Sequence, residues 1–229
     1  MYTSGKASKY MSNRNAPFDP DFVRPVAEAS NKQLLIIFCK NPVIGQCKTR
    51  LGATLGDESA LAIYHFLLQH TANVCRLVPV QRRVLYSHKV AGQDCWPEDI
   101  FEKNIQQGED LGQRMAQAFA DGFTQGYTNI VLIGTDLYDI DAPLIGQAFE
   151  ALKTKDMVVG PAEDGGYYLM GLNHLNSELF NNKNWGTASV LRDTLSNLHP
   201  ESYHLLPLRN DIDTEADLHP IDIFKPFLK

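Results

Sequence analysis

Six consecutive apolar residues, Leu34-Leu-Ile-Ile-Phe-Cys39, constrain this chain more than any other feature. A strand with one wet face alternates apolar and polar side chains, so an unbroken run describes a strand covered on both faces. Covering both faces takes helices, and the sequence supplies them. From Asp57 the apolar positions become Leu61, Tyr64, Leu68, Ala72 and Cys75, the spacing of a helix with one buried stripe. Arg83-Val-Leu-Tyr-Ser87 reads as a second strand, residues 111–123 with Met115, Ala118 and Phe119 on one face as a second helix, and Asn129-Ile-Val-Leu-Ile-Gly134 as a third strand. A helix over 143–153, strands over 156–160 and 167–171 and a helix over 188–198 continue the alternation. Strands separated by helices predict an α/β fold: one domain with a mostly parallel, Rossmann-like sheet flanked by helices and joined by right-handed crossovers.

A chain of 229 residues can bury one full core, and no repeat or composition shift marks a second. The domain is expected over residues 32–229. Residues 1–31 are polar, interrupted by Pro17, Pro20 and Pro25, and lack the apolar stretch of a secretory signal; they read as a disordered extension. The apolar runs fall far short of the roughly 20 residues that cross a bilayer, so no membrane span is expected. A formal net charge of -6 without a basic patch argues against a nucleic-acid partner. Cys39, Cys47, Cys75 and Cys95 form no Cys-x-x-Cys pair and have no metal-like spacing to histidines, which fits a reduced, cytoplasmic setting. Cys39 ends an apolar run and reads as core. Oligomeric state leaves no mark in this sequence.

Sheets of this kind gather ligands outside the carboxyl ends of their strands. The first such loop is Lys40-Asn-Pro-Val-Ile-Gly-Gln-Cys-Lys-Thr-Arg-Leu51. Lysine supplies a compact charge, arginine a fork for two phosphate oxygens, and glycine lets backbone approach the ligand, so Lys40, Gly45, Lys48 and Arg50 form a candidate diphosphate cradle. The plainer alternative is a solvated loop. A Walker A motif is excluded, because Cys47 stands where its second glycine must precede the lysine. In Gly134-Thr-Asp-Leu-Tyr-Asp139, Asp136 stands just past the third strand and is the candidate ligand for Mg²⁺ or Mn²⁺, which take one or two carboxylates plus substrate phosphates. Asp139 is a weaker candidate, and Asp141 reads as the cap of the next helix. Pro161-Ala-Glu-Asp-Gly-Gly-Tyr-Tyr168 offers Gly165 and Gly166 for a tight turn, with Glu163 and Asp164 to bind acceptor hydroxyls; Asp164 is the candidate general base. A simple turn is the alternative there.

In Asp211-Ile-Asp-Thr-Glu-Ala-Asp-Leu218, Thr214 and Asp217 have capping-box spacing, leaving Asp211 and Asp213 unexplained. Either could complete the metal site with Asp136, and Asp213 is slightly preferred. Arg114 could meet a phosphate or form a surface ion pair with Leu111 and Met115 in the core, and Trp185 could stack on a substrate or pack.

Taken in order, Phe38-Cys-Lys-Asn-Pro with Lys48-Thr-Arg-Leu51, Gly108-Glu-Asp-Leu-Gly-Gln-Arg-Met115, Gly134-Thr-Asp136, Gly160-Pro-Ala-Glu-Asp-Gly-Gly-Tyr-Tyr168 and Asp211-Ile-Asp-Thr214 resemble a family of small bacterial glycosyltransferase-A-like proteins. Some of its members are named for arsenosugar biosynthesis or for association with radical enzymes. The resemblance spans about residues 33–218. It implies a nucleotide-diphospho-sugar transferase fold, with Lys40, Lys48 and Arg50 handling the nucleotide and Asp136 the metal. Ile44 and Leu137-Tyr138 depart from the family pattern, which bears on the acceptor. The implied activity is metal-dependent glycosyl transfer from a nucleotide-sugar to a small-molecule acceptor. Nucleotidyl transfer from a nucleoside triphosphate to a phosphorylated small molecule shares the architecture, as does a non-catalytic nucleotide-sugar-binding protein.

Overall fold

The apolar run at residues 34–39 lies at the heart of a sheet, and its side chains explain why no polar residue interrupts it. A computed structural model describes residues 30–196 and 198–228. Strand β1 (Ser30–Cys39) sends Leu35, Ile37 and Cys39 into one core cluster with Tyr64, Leu68, Ile145 and Phe149. Leu34 and Ile36 enter a second cluster with Met115, Ala118 and Phe119 on the other face. The same division holds in β4 (Asn129–Ile133), where Val131 and Ile133 face the first cluster and Ile130 and Leu132 the second. Helices α2 (Asp57–Arg76) and α4 (Ala142–Ala151) cover one face, and α3 (Leu111–Thr124) with α5 (Val190–Leu195) covers the other. Burial of this kind is worth roughly 1.5–3 kcal/mol per large apolar side chain.

The described residues form a seven-stranded sheet that adds β2 (Val80–Tyr86), β3 (Glu102–Ile105), β5 (Met157–Pro161), β6 (Tyr167–Leu172) and β7 (Tyr203–Leu205). The strand order is β3-β2-β1-β4-β6-β5-β7. All pairs are parallel except the two made by β6, which runs against β4 and β5. The expected single α/β domain with a mostly parallel sheet is therefore present. The reversal of β6 has a simple cause: residues 162–166 are too few for a parallel crossover, which takes a dozen or more residues, so β5 and β6 must form a hairpin.

A short helix, α1 (Thr49–Leu55), occupies the end of the expected first loop and meets α2 at Gly56, whose φ of 87° turns the corner. Strand β2 begins at Val80, three residues before the expected start at Arg83. Arg82 is buried there because its guanidinium donates to the Cys75 carbonyl (2.8 Å) and the Val78 carbonyl (2.6 Å) just where α2 ends. Arg83 is buried against Glu102 of β3 at 2.8 Å. A third cluster, outside the sheet, joins Leu51, Ile63 and Leu67 to Ile212, Leu218 and Phe224, with Leu218 ending helix α6 (Glu215–Leu218). It fixes residues 211–213 beside the sheet. The expected extension at residues 1–31 lies outside the described residues, apart from the backbone of the last two, which opens β1.

Candidate functional site

Three loops meet at the carboxyl ends of β1, β2 and β4, and two residues tie them together. The Tyr64 hydroxyl of α2 accepts the Lys40 backbone N–H at 3.0 Å and stands 3.3 Å from Thr135 Oγ1, linking the loop after β1 to the loop after β4. Burial pushes this phenol far above its usual range, so it stays protonated. Asn41, 8% exposed, accepts the backbone N–H groups of His88 (3.0 Å) and Lys89 (3.2 Å) through Oδ1 and donates to the Lys89 carbonyl (2.8 Å). Asn41 thereby locks the β1 loop to the β2 loop.

Lys48 precedes α1 with φ 50° and ψ 45°, a left-handed conformation that costs a lysine about 1–2 kcal/mol. Its side chain, 5% exposed, reaches Asp136 with Nζ 2.8 Å from Oδ1. A strained backbone and a buried ammonium are both held in place by this one carboxylate. Asp211 arrives from the other side. The Ile212 N–H donates to the Asp136 carbonyl at 2.9 Å, and Ile212, 1% exposed, is anchored in the third cluster. Burial first, and then the neighbouring Asp136 carboxylate, raise the Asp211 carboxyl to about 7 against the opposing pull of Lys48. Asp164 and Asp213 add smaller upward contributions.

These groups open onto a cleft of about 600 Å³ lined by Lys40, Asn41, His88, Gln106, Arg114, Thr135, Asp136 and Asp211 among others. That volume suits a small ligand of nucleotide size. Lys40, Arg114 and Asp136 thus stand together as the sequence suggested, with Lys48 joined through its ion pair. Arg114 donates Nε–H to the Gly108 carbonyl at 3.0 Å, which steadies it at the start of α3. Gly45, with φ 71°, is exposed in the turn of the first loop and does not line the cleft. Arg50 turns outward to pair with Asp213 at 2.7 Å, its side chain 73% exposed.

The β5–β6 turn carries Glu163 and Asp164, both exposed. Asp164 Oδ1 accepts the Gly166 N–H at 2.8 Å. Gly165, with φ 87°, lies so close to the chain ahead of α5 that a Cβ would stand 2.2 Å from the Ala188 carbonyl oxygen. Trp185 packs on α3, where a Cβ on Gly112 would meet its Nε1 at 2.3 Å, and it does not line the cleft. Asp141 caps α4 through the Leu144 N–H at 2.8 Å, and Thr214 with Asp217 forms the expected capping box. Leu111 is 45% exposed at the cleft, whereas Met115 is buried. Leu137 is core, and Tyr138 packs on Phe224 with ring centroids 5.3 Å apart. Cys39 is buried, its thiol raised to about 12 and unreactive.

The donor set can be tested for a divalent cation. Among the described residues no three His, Cys, Asp or Glu side chains are grouped to hold a metal by themselves. Two carboxylates do stand at Asp136, paired with Lys48, and at Asp211, which burial and then the Asp136 charge hold reluctant to ionise. Such a pair fits Mg²⁺ or Mn²⁺ completed by substrate phosphates. The sequence pointed to Asp213 for this place; the geometry brings Asp211 to Asp136 and sends Asp213 to Arg50. Asn41, His88 and Gln106 were not selected from the sequence, and Asp211 was the slightly less favoured of two candidates. Only Asp211 left a signal there, as an aspartate that capping did not explain.

Residues 70–187, just over half of the chain, match the model of a family described as an uncharacterized protein conserved in bacteria, DUF2064. The chain belongs to that family. No curated protein sequence matches this DUF2064 member significantly. Among solved structures, a candidate nucleotide-diphospho-sugar transferase from Desulfovibrio desulfuricans G20 is 28% identical and superposes with a TM-score of 0.76 over 86% of this chain and 91% of its own. A cytidylyltransferase from Leptospira borgpetersenii is 15% identical with a TM-score of 0.52, covering 81% of this chain and 82% of its own. The 4-diphosphocytidyl-2C-methyl-D-erythritol synthase of Anaerococcus prevotii is 9% identical with a TM-score of 0.51, covering 82% and 93%. These last two share the fold alone. Nucleotide-diphospho-sugar transferases and cytidylyltransferases are thus built on the architecture found here, and the three descriptions name neither arsenosugars nor radical enzymes. No helix among the described residues is long and apolar enough to cross a membrane.

Proposed function

We propose that the protein is a divalent-metal-dependent transferase that takes a nucleotide-diphospho-sugar donor and glycosylates a small acceptor. The observation that carries this reading is the Lys48–Asp136 pair with Asp211 beside it at the strand ends, where Asp136 and Asp211 line a cleft that also presents Lys40 and Arg114. Likeness to the Desulfovibrio protein supports the donor class. Asp136 and Asp211 would hold Mg²⁺ or Mn²⁺, which supplies positive charge to a diphosphate when bound.

The chain's own groups then have distinct tasks. Lys40 and Arg114 bind the diphosphate and orient it, and Lys48 stabilises the charge that develops as the bond from the anomeric carbon to the diphosphate oxygen breaks. The acceptor oxygen forms the new bond to that carbon. Its proton passes to Asp164, an exposed carboxylate on the β5–β6 turn whose charge is felt at Asp211. Gly165 lets that turn sit directly against the start of α5.

The test is calorimetric binding of nucleotide-sugars and nucleoside triphosphates with and without Mn²⁺, followed by product analysis. Metal-dependent binding of a nucleotide-sugar with release of a nucleoside diphosphate supports the reading. Release of pyrophosphate from a triphosphate makes the protein a nucleotidyltransferase instead. Tight binding without turnover across a broad acceptor panel makes it a binding protein.

A further inference from the structure

The cleft has two unlike sides. Beside the polar groups described above, its wall continues down the α3 face of the sheet as Phe38, Met115, Leu132, Tyr167 and Met170. None of these carries a charge, and none has been assigned a task. Tyr167 adds a second observation: among the described residues its hydroxyl finds only the Met115 sulfur, at 3.8 Å, and burial pushes its phenol well above the usual range. A thioether is a weak acceptor, so this O–H enters a nearly apolar slot where it is held only weakly and could exchange Met115 for a stronger acceptor. These side chains belong to the second core cluster and also wall the cleft, and a wall of methionines, which adapt to irregular shapes, with one weakly held hydroxyl suits the apolar part of a ligand.

We infer that this slot receives the apolar portion of the acceptor, so that the acceptor is an amphipathic alcohol, with a hydrocarbon or aromatic body and a hydroxyl presented toward Asp136. The inference rests on the transferase reading above. Continuity of the slot with the carboxylate pair means that a body seated between α3 and the sheet leaves its polar end at the strand ends. Tyr167 donates to one polar atom on that body and fixes its depth. Leu111, 45% exposed at the cleft, extends the apolar surface outward from the slot. A sugar or a small polyol would leave these side chains unfilled and would not be selected over water.

Methionine-methyl NMR of the full chain tests this directly, because Met115 and Met170 are the methionines that line the slot among the described residues. 2-Phenylethanol is expected to shift both methyl signals saturably and to bind at least tenfold tighter than glycerol. It should do so equally in the presence of UDP or GDP with Mg²⁺. Met115→Trp should fill the slot and weaken 2-phenylethanol at least tenfold while leaving nucleotide affinity within twofold. Tyr167→Phe, which keeps the packing, should weaken it about fivefold. Displacement of 2-phenylethanol by the nucleotide overturns the inference, since the slot then houses the base. Equal response to 2-phenylethanol and glycerol overturns it as well. If 2-phenylethanol binds as expected but no nucleotide binds at all, the transferase reading fails while the slot stands as an apolar ligand site.

Discussion

Two ion pairs leave the first loop region, and they look alike on paper. Lys48 meets Asp136 at 2.8 Å and Arg50 meets Asp213 at 2.7 Å. Their surroundings separate them: the Lys48 side chain is 5% exposed and the Arg50 side chain 73%. A charge kept from water depends on its partner, whereas an exposed pair exchanges one solvated state for another and gains little. Distance therefore says nothing about which pair matters; burial does. The cleft floor is a site under electrostatic tension, and the rim is ordinary surface.

The largest expected effect comes from breaking the buried pair on its acidic side. Asp136→Asn should abolish the metal-dependent rise in thermal stability produced by nucleotide, and lower any turnover by about a hundredfold or more. Thermal shift with and without Mn²⁺ checks it, and retention of the metal-dependent rise would remove Asp136 from the site. Lys48→Ala should weaken nucleotide binding by about ten- to a hundredfold, measured by calorimetry, because a charge-assisted contact to phosphate is lost. An unchanged affinity would mean that Lys48 serves only its neighbour.

Asp211 sharpens the contrast through pH. In the unfolded chain its carboxyl ionises near pH 4, roughly the unperturbed value, and in the folded protein near 7. Between those values the folded state holds the extra proton, so stability falls as pH rises from about 4 to about 7. Asp211→Asn removes that loss. The metal-free variant should match the wild type at pH 4 and exceed it at pH 8 by about 2 kcal/mol, a figure discounted for partial solvation. Denaturant unfolding at the two pH values checks this, and equal stabilities at pH 8 would show that no tension is stored there. The smallest effect belongs to Arg50→Ala, expected to cost less than about 1 kcal/mol of stability and to leave nucleotide affinity within about threefold. Should Arg50→Ala weaken nucleotide as much as Lys48→Ala, the difference between floor and rim disappears.

How much of this was legible in the sequence follows the same physics. Strand β4 and the apolar run of β1 were readable because both faces are buried and no charge interrupts those runs. Caps were readable too, since Asp141 and Thr214 with Asp217 act through local geometry that spacing reveals. Strand β3 was not, because it is an edge strand with three of four residues exposed, and β7 has only three residues. Helix α1 spans seven residues, too few for a period to emerge. In the site, Lys48 stood out as a cation in the loop that follows a buried strand and Asp136 as a carboxylate just past another. The choice between Asp211 and Asp213 depended on how the anchored Ile212 sets its neighbours, a contact between residues 76 positions apart in the chain. Asn41 works only through a loop brought to it by folding, so its neighbours in sequence gave no sign of its role.

The anchoring of Ile212 also has a consequence for synthesis. Asp211 lies late in the sequence, and the residue that seats it fills a gap among Leu51, Ile63 and Leu67 laid down far earlier. A nascent chain that has already built β1, β4 and the Lys48–Asp136 pair still leaves that apolar gap open to solvent. Site completion and closure of this surface are therefore one event in folding, and a chain cut short before Asp211 would carry both the missing carboxylate and an exposed apolar patch of the kind that chaperones and proteases recognise.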